Sequence, residues 1–265
     1  MKRSFIVILL VIFTMTAFAG IEWRTKTVTE AQAKGQSNTI VMQVFASGGN
    51  VKQVFESVAD ENEMFQKGSY WLFKAEDSVL YMVNPAEKTY SRLPLNAIFQ
   101  MTGVAGKLIK IKIKNPQASI EKLANETILG YPCLHRKILS EYDMEVKIAF
   151  IKSKSHERSE KEVWSSTQIK GITEVGEAFR KRDFKTGFED LDALIAEQMK
   201  AEAEAGFPLK MITVTTAIDK KGIAKEKMRQ TMGVLSIDSK NFPASFFQIP
   251  AGYEEKKMGF GGEEE

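Results

Sequence analysis

The sequence contains little of what several classes of protein depend on. Its 265 residues include one Cys, two His and seven Pro. A single Cys excludes a disulfide scaffold and a multi-cysteine zinc or iron–sulfur protein. Basic residues number 37 and acidic residues 34, so the formal net charge of +3 is too small for a dedicated nucleic-acid binder. Because His is scarce, we expect no metal site and no cofactor.

The rest of the composition is that of an ordinary folded protein. Hydrophobic residues make up 43% of the chain and charged residues 27%, which is typical of a globular domain. No internal repeat or linker divides the chain, so we predict one domain over residues 20–258. The Gly-rich, acidic end over residues 259–265 is expected to be disordered.

The N-terminus has the pattern of a secretory signal peptide. Two basic residues precede a short apolar run, and Ala17-Phe18-Ala19 supplies the small residues of a cleavage site. A membrane-spanning helix needs about 20 apolar residues, more than this run contains. We therefore predict a signal peptide over residues 1–19, cleavage after Ala19, and a periplasmic or secreted protein. Cys133 lies far from that point, which excludes a lipoprotein-type anchor.

Alternation of apolar and polar residues predicts several β-strands. Three isoleucines alternate with three lysines over residues 109–114, and the same period of two recurs over residues 144–150 and 228–234. Turn-forming residues separate such segments, as in Ser47-Gly48-Gly49-Asn50. Short strands joined by tight turns favour an antiparallel meander over βαβ units.

Helices are predicted at only three places. The capping-box spacing of Thr186 and Glu189 begins an amphipathic run to Met199, which Gly206 is expected to terminate. Shorter helices are predicted over 95–101 and 172–179. Helices inserted between groups of antiparallel strands predict an α+β fold, in which a few helices pack on the concave face of a curved antiparallel sheet.

Five segments, in order along the chain, carry a resemblance to a known family. They are YWLFKAEDSVLYMVNPAEKTYSRL (Tyr70–Leu93), NETILGYPCLHRKI (Asn125–Ile138), EVWSSTQIKG (Glu162–Gly171), PLKM (Pro208–Met211) and FFQIPAGYEE (Phe246–Glu255). Together they resemble an exported bacterial family known as domain of unknown function 4412. That family is in turn similar to the periplasmic lipoprotein-carrier (LolA- and LolB-like) fold.

The resemblance implies a fold and a compartment. A carrier of this kind is an open antiparallel half-barrel, capped by helices around an apolar cavity that binds acyl chains. The family has no established activity and no agreed catalytic residues, so the resemblance assigns no site residue. Any ligand inferred for this chain is an analogy at the level of the fold.

Two features are candidates for chemistry, and each has a simpler explanation. Cys133 and His135 share one side of a predicted strand, where they would form a thiol–imidazole pair or part of a metal site. The favoured explanation is a buried Cys beside a half-exposed His, because catalysis and metal binding both need further groups. The lysines at 110, 112 and 114 would meet anionic headgroups or an acidic partner, but protection of a strand edge is favoured.

The apolar residues are more informative about function. The chain has 12 Met, 17 Phe, six Tyr and three Trp, and Met side chains suit adaptable apolar pockets because they are flexible and polarizable. Plain core packing accounts for any one of them. For a ligand cavity we predict a wall that includes Trp71, Phe73, Tyr81, Val83, Met101, Met144, Trp164 and Met211.

Two functional hypotheses follow. The first is an exported, non-enzymatic binding or carrier protein that holds a lipid, an acyl chain or a lipidated peptide in an apolar cavity. The alternative is a structural or sensory module of the cell envelope, with a filled core and a protein partner bound at a strand edge. A hydrolase that uses Cys133 and His135 is a weaker third hypothesis, because no catalytic sequence motif is present.

Overall fold

The chain forms a large β-sheet. The computed structural model describes residues 17–31, 35–62, 64–74, 76, 79–94, 109–148, 151–169, 192–193, 196, 206–218 and 222–256. The strands in these residues are β1 (Ala17–Ala31), β2 (Gln36–Ser47), β3 (Asn50–Val58), β4 (Tyr70–Lys74), β5 (Val79–Asn84), β6 (Thr89–Pro94), β7 (Ile109–Lys122), β8 (Glu126–Ile128), β9 (Tyr131–Ile148), β10 (Ile151–Ser166), β11 (Phe207–Ile218), β12 (Ala224–Pro243) and β13 (Glu254–Glu255).

The strands follow one another in one open sheet. Their order is β13-β6-β5-β4-β3-β2-β1-β12-β11-β10-β9-β7, and β8 pairs with β9 beside this path. Neighbours are antiparallel except β13 and β6, which are parallel. Different strands, β13 and β7, lie at the two ends of the order, so the sheet is not closed. This confirms the prediction of an open antiparallel sheet.

Turns with left-handed residues connect the hairpins of the meander. Gly48 and Gly49, between β2 and β3, have φ values of 55° and 78°. Two consecutive residues with positive φ match the right-handed twist of the strands that they join, and Gly adopts this conformation without steric cost. Asn84-Pro85-Ala86-Glu87 connects β5 to β6, where the Asn84 side-chain oxygen accepts hydrogen bonds from the backbone N–H groups of Ala86 and Glu87.

The sheet is curved, and irregular pairings account for the curvature. Register shifts interrupt five pairings, namely β1–β12, β2–β3, β7–β9, β10–β11 and β11–β12. Each shift marks a bulge, and a bulge bends its strand and increases the local twist. In β7 the shift lies between Lys114 and Gln117, so that one strand continues through Asn115 and Pro116.

The helical part of the prediction is supported only in small part. Asp192, Ala193 and Ala196, within the predicted 188–199 helix, are α-helical, and the predicted helices at 95–101 and 172–179 lie outside the described residues. A short 3₁₀ helix occupies Ala244–Phe247. The described residues contain no layer of helices on either face. Gly206 lies directly before β11 with φ of 91°, and a Cβ there would meet the backbone of Ser166.

Alternation along the paired strands defines two faces of the sheet. Residues directly opposite each other in neighbouring strands share a face. Face A carries Val44, Ala46, Phe73 and Leu209, each at most 3% exposed. Face B carries Lys110, Lys112 and Lys114 of β7, while Ile109, Ile111 and Ile113 lie on face A, as their alternation in the sequence predicts.

The described residues extend three positions beyond the N-terminal limit of the predicted domain. β1 begins at Ala17, three residues before the predicted cleavage point, and its first residues pair with Asn241, Phe242 and Pro243. Cleavage after Ala19 would leave the remaining pairs of β1 intact. The predicted acidic tail over residues 259–265 lies outside the described residues.

Candidate functional site

The buried core of face A borders a surface that is only partly covered. Met42, Met211 and Met232 lie on this face and are half-buried. Met232 is directly opposite Thr27 on one side and Met211 on the other. Met42 and Met232 pack against the core cluster that includes Val44 and Leu209. We call Met42, Met211 and Met232 the methionine surface.

A buried hydroxyl group adjoins the methionine surface. Thr25 is opposite Met42 of β2 and Val234 of β12, and it is 4% exposed. Its Oγ1 atom has no hydrogen-bond partner among the described residues. A buried hydroxyl without a partner costs free energy, so Thr25 is a polar exception within an apolar part of face A.

Polar residues occupy the other end of face A. Glu157 of β10 is 3% exposed, and its carboxylate accepts a hydrogen bond of 2.6 Å from the Lys227 ammonium group. Tyr142 is directly opposite Glu157. Burial, followed by the charge of Glu157, raises the pKa of Tyr142. Face A is therefore apolar near the methionine surface and polar near Glu157.

Trp71 belongs to a group of aromatic rings on face A. Its ring centroid lies 5.4 Å from that of Phe55 and 5.2 Å from that of Phe65. The indole Nε1 of Trp71 is buried and has no hydrogen-bond partner among the described residues. This N–H group is a second unsatisfied polar atom beside apolar surface.

Cys133 and His135 share face B, as predicted, but each has its own partners. The Cys133 thiol is 1% exposed and lies 3.4 Å from the carbonyl oxygen of Tyr131. Burial raises its pKa, which disfavours the nucleophilic thiolate. The His135 ring stacks on Trp164 at 4.0 Å, and its Nε2 lies 3.0 Å from the Glu162 carboxylate. Among the described residues no group of three His, Cys, Asp or Glu side chains is arranged to hold a metal ion.

A cleft with charged walls lies beside residues of β7, β9, β10 and β11. Its volume is about 420 Å³, and it is lined by Lys114, Asp143, Met144, Glu145, Lys154, Ser155, His156 and Ile218. His156 Nδ1 lies 2.9 Å from Asp143 Oδ1. Glu145 is within 3.4 Å of the ammonium groups of Lys114 and Lys152 and within 2.9 Å of that of Lys154. These hydrogen bonds, with Lys154 first, lower the pKa of Glu145 to about 2.

Comparison with protein-family models shows the family to which the chain belongs. Residues 27–253 match the family model described as Domain of unknown function (DUF4412). The chain is a member of the DUF4412 family. This confirms the family resemblance that the five sequence segments indicated. A search of curated proteins gives no match for the DUF4412 chain.

Solved structures show only distant similarity to this DUF4412 protein. PNGF-II is 9% identical with a TM-score of 0.33, and the match covers 90% of this chain but only 31% of that one. An outer membrane lipoprotein-sorting protein domain from Vibrio parahaemolyticus is 7% identical with a TM-score of 0.26, covering 83% and 85% of the two chains. A DUF1329 family protein from Desulfovibrio piger is 9% identical with a TM-score of 0.25, covering 88% and 90%. TM-scores this low do not establish a shared fold.

The five segments that indicated the DUF4412 family meet in two clusters. Tyr70–Leu93 forms β4, β5 and β6, and on face B its Leu72, Tyr81 and Val83 join a buried cluster with Phe247 from the last segment. Residues from the other three segments, Cys133, Trp164 and Leu209, belong to the core cluster that also contains Val44 and Phe73. The resemblance therefore lies in residues that pack against one another.

The residues predicted for a cavity wall do not all lie together. Trp71 and Phe73 are on face A, whereas Tyr81 and Val83 are opposite Leu72 and Tyr70 on face B. Trp164 is opposite His135 and Lys210 on face B, and the Lys210 ammonium lies 4.1 Å from its ring centroid.

The three predicted methionines also have different positions. Met211 belongs to the methionine surface, and Met144 lies on face A at the charged cleft. Met101 lies outside the described residues. Met42, Thr25 and Glu157 were not predicted from the sequence. The alternation of Thr25, Thr27 and Thr29 with other residues indicates that the three threonines share one face of a strand. It does not indicate which face of the sheet is only partly covered.

Proposed function

We propose that this DUF4412 protein is an exported, non-enzymatic binding or carrier protein that holds a lipid, an acyl chain or a lipidated peptide on face A. The observation that carries the proposal is the methionine surface beside the unsatisfied hydroxyl of Thr25. An apolar surface with a few polar groups is the usual character of a ligand site. The proposed wall consists of Met42, Met211 and Met232 with Trp71 and Phe73.

The chemistry of this surface suits an alkyl chain. Methionine side chains adjust to irregular apolar shapes because they are unbranched and flexible. Burial of apolar groups is worth about 0.8 kcal/mol per methylene, so ten methylenes would contribute about 8 kcal/mol before ordering costs are subtracted. The polar end of face A, with Glu157 and Lys227, would meet the polar end of the ligand.

The burial of the Cys133 thiol supports a non-enzymatic role. Cys133 is buried and its pKa is raised, while the neighbouring His135 is engaged with Trp164 and Glu162. A nucleophile requires a base within hydrogen-bond reach, and the partners of these two side chains are elsewhere. We therefore assign neither residue a catalytic role.

Two matched variants of β11 test the ligand proposal. Met211→Lys places a charge on face A, whereas Val214→Lys places the same charge at a half-buried position on face B. Protein recovered from the envelope of its expression host is analysed by native mass spectrometry and by lipid extraction. We expect an adduct of lipid mass on the parent protein and on Val214→Lys, and at least a tenfold lower occupancy on Met211→Lys.

Absence of any adduct on the parent protein would contradict the ligand proposal. Recovery of a stoichiometric protein partner from crosslinked envelope, without lipid, would support the alternative of an interaction module with a filled core. Equal occupancy in both variants would show that the lipid binds away from face A.

Export is tested separately from ligand binding. We expect the protein from a secreting host to begin at Gly20 when its N-terminus is sequenced. A chain that keeps Met1 and remains in the cytosolic fraction would contradict the export proposal and leave the ligand test unaffected. None of the described helices is long and apolar enough to cross a membrane.

A further inference from the structure

Three lysines lie directly opposite one another at one end of the sheet. In β7, β9 and β10, Lys110 is paired with Lys147, and Lys147 is paired with Lys152. All three residues are therefore on face B in a single row across three strands. Like charges directly opposite each other destabilise a sheet. We call Lys110, Lys147 and Lys152 the lysine row.

The two adjacent rows of the same strands are arranged differently. One contains Lys112, Glu145 and Lys154, and the next contains Lys114, Asp143 and His156. In both rows a carboxylate occupies the middle strand and contacts a basic side chain of β10, at 2.9 Å in each case. The lysine row has a third lysine where these rows have a carboxylate.

The neighbouring row neutralises only part of the positive charge of the lysine row. The Glu145 carboxylate reaches Lys152 at 3.4 Å, but it also contacts Lys114 and Lys154. The three rows thus contain six lysines but only two carboxylates. The Lys152 and Lys154 side chains are 55% and 58% exposed, so these ammonium groups are accessible to a partner.

Protection of a strand edge explains only part of this arrangement. β7 ends the strand order, and lysines on it prevent pairing with another sheet. β9 and β10 are interior strands with neighbours on both sides, so Lys147 and Lys152 have no edge to protect. Departures from the rules of stability are expected where function requires them.

The strands become apolar beyond the lysine row. The last residue pair of the β9–β10 hairpin is Ile148 with Ile151, immediately after Lys147 and Lys152. Both isoleucines belong to face A, opposite the lysines of face B. Lysines on a protein surface are attracted by the negative surface potential of anionic lipids.

We propose that the lysine row and the adjacent lysines of face B bind the headgroups of anionic phospholipids, so that this end of the sheet docks on a membrane surface. Because neighbouring strands lie about 4.8 Å apart, the three rows place six lysine residues close together on face B. The proposal concerns face B and does not depend on a ligand on face A.

Vesicle partitioning tests the proposal. The parent chain is mixed with vesicles of phosphatidylcholine alone and with vesicles that also contain phosphatidylglycerol, and bound protein is measured after sedimentation. We expect strong binding only to the anionic vesicles, weakening as salt is raised. Each lysine near an anionic surface contributes about fivefold, so replacement of Lys110, Lys147 and Lys152 by Gln should lower the partition coefficient about 100-fold.

A control variant removes the same charge elsewhere. Lys26, Lys67 and Lys225 are exposed and lie on β1, between β3 and β4, and on β12. Replacement of these three by Gln gives the same net charge as the lysine-row variant. The control variant should bind anionic vesicles within about threefold of the parent, because its lysines lie outside the proposed contact.

Several results would overturn the proposal. Equal partitioning of the parent onto both kinds of vesicle, or equal losses in the two triple variants, would leave no specific role for the lysine row. Displacement by inorganic phosphate at constant ionic strength would indicate a site for free phosphate instead. The melting temperature of the lysine-row variant should stay within a few degrees of that of the parent, because relief of the repulsion offsets loss of the Lys152–Glu145 contact. A markedly lower value would indicate a structural role.

Discussion

Individual residues illustrate how far spacing alone predicts chemistry. Cys133 and His135 are two apart in β9, and the spacing placed them on one face as expected. Their partners come from other parts of the chain. Trp164 and Glu162 of β10 engage His135, while the thiol of Cys133 turns to a carbonyl group of its own strand. Proximity in sequence therefore did not produce a reacting pair.

Burial of the single thiol predicts slow chemical labelling. Cys133 is 1% exposed and its pKa is raised by burial, so the thiolate is both rare and inaccessible. We expect a disulfide reagent to label the native protein at least 100-fold more slowly than the protein unfolded in guanidinium chloride. Absorbance of the released thiol measures both rates. Labelling of the native protein at the unfolded rate would show that Cys133 is accessible.

The buried ion pair of Glu157 and Lys227 predicts a larger loss of stability when Lys227 alone is replaced than when both residues are replaced. Replacement of Lys227 by Met leaves this carboxylate without its 2.6 Å partner, and an unpaired buried charge is destabilising. Because the Lys227 side chain is 46% exposed, we expect a loss of about 1–3 kcal/mol in the free energy of unfolding. Urea unfolding monitored by fluorescence provides the measurement.

Two further variants distinguish the ion pair from a general effect of lysine removal. Lys225→Met alters an exposed lysine in the same strand and should change stability by at most about 0.5 kcal/mol. Combining Glu157→Gln with Lys227→Met should recover part of the loss, because no buried charge is left unpaired. Equal effects of Lys227→Met and Lys225→Met would refute the role of Glu157.

Among the structural elements, the β9–β10 hairpin shows how charge patterning depends on register. Its face B positions form cross-strand ion pairs, including Lys154 with Glu145 and Lys137 with Glu160. A shift of one residue would exchange the two faces of a strand and break these pairs. The apolar alternation on face A and the charge pairing on face B thus favour the same register.

The ion pairs of Glu145 predict that low pH destabilises the sheet. The three lysines around it hold its pKa at about 2, below the ordinary value of 4.5. A depressed carboxyl pKa stabilises the folded protein above the unfolded-state pKa, and this stabilisation is lost as the pH falls from about 5 to about 2. In Glu145→Gln this contribution is absent at every pH, so its melting temperature should approach that of the parent as the pH falls.

Thermal unfolding monitored by circular dichroism checks this pH dependence. Glu76→Gln is the control, because Glu76 is exposed in the connection between β4 and β5, and it should follow the parent at every pH. Melting curves for Glu145→Gln that stay parallel to the parent between pH 5 and pH 2 would mean that Glu145 is not stabilised by its lysines.

The whole molecule is held together by contacts between the two ends of the chain. β1 pairs with β12 from Ala17 opposite Pro243 to Ala31 opposite Met228. The segment after β12 then crosses face B, where Phe247 joins a buried cluster with Leu72 and Val83. Pairing between such distant segments requires closure of a long loop, so we expect folding in milliseconds to seconds or more slowly.

Removal of one aromatic ring should test the importance of the C-terminal segment. Phe247 is 4% exposed and its ring centroid lies 5.8 Å from that of Phe242. Phe247→Ala should lower the free energy of unfolding by about 3–5 kcal/mol, because it removes buried area and leaves a cavity. Leu235→Ala, at a residue 44% exposed in β12, should change it by at most about 0.5 kcal/mol.

Guanidinium unfolding provides both values. A small effect at Phe247 would mean that the C-terminal segment contributes little to the fold. The control at Leu235 is needed because both substitutions remove large apolar side chains at neighbouring places in the chain.

Local patterns in the sequence determined the strands and their connections. The isoleucines and lysines at 109–114 occupy opposite faces of the sheet, because successive residues of a strand alternate between the two faces. Glycines at 48 and 49 specified a tight turn, because positive φ is accessible to Gly. The family could also be inferred, since five separate segments carried the resemblance.

Tertiary structure decided which residues come together and which face each one occupies. The sequence-based cavity wall combined Trp71 with Tyr81, but antiparallel pairing of β4 and β5 places them on opposite faces. The pairing of β1 with β12 brought Thr25 beside Val234, and the register of β7, β9 and β10 aligned three lysines. Alternation along one strand separates two faces but carries no information about the neighbour across the sheet, which long-range pairing alone sets.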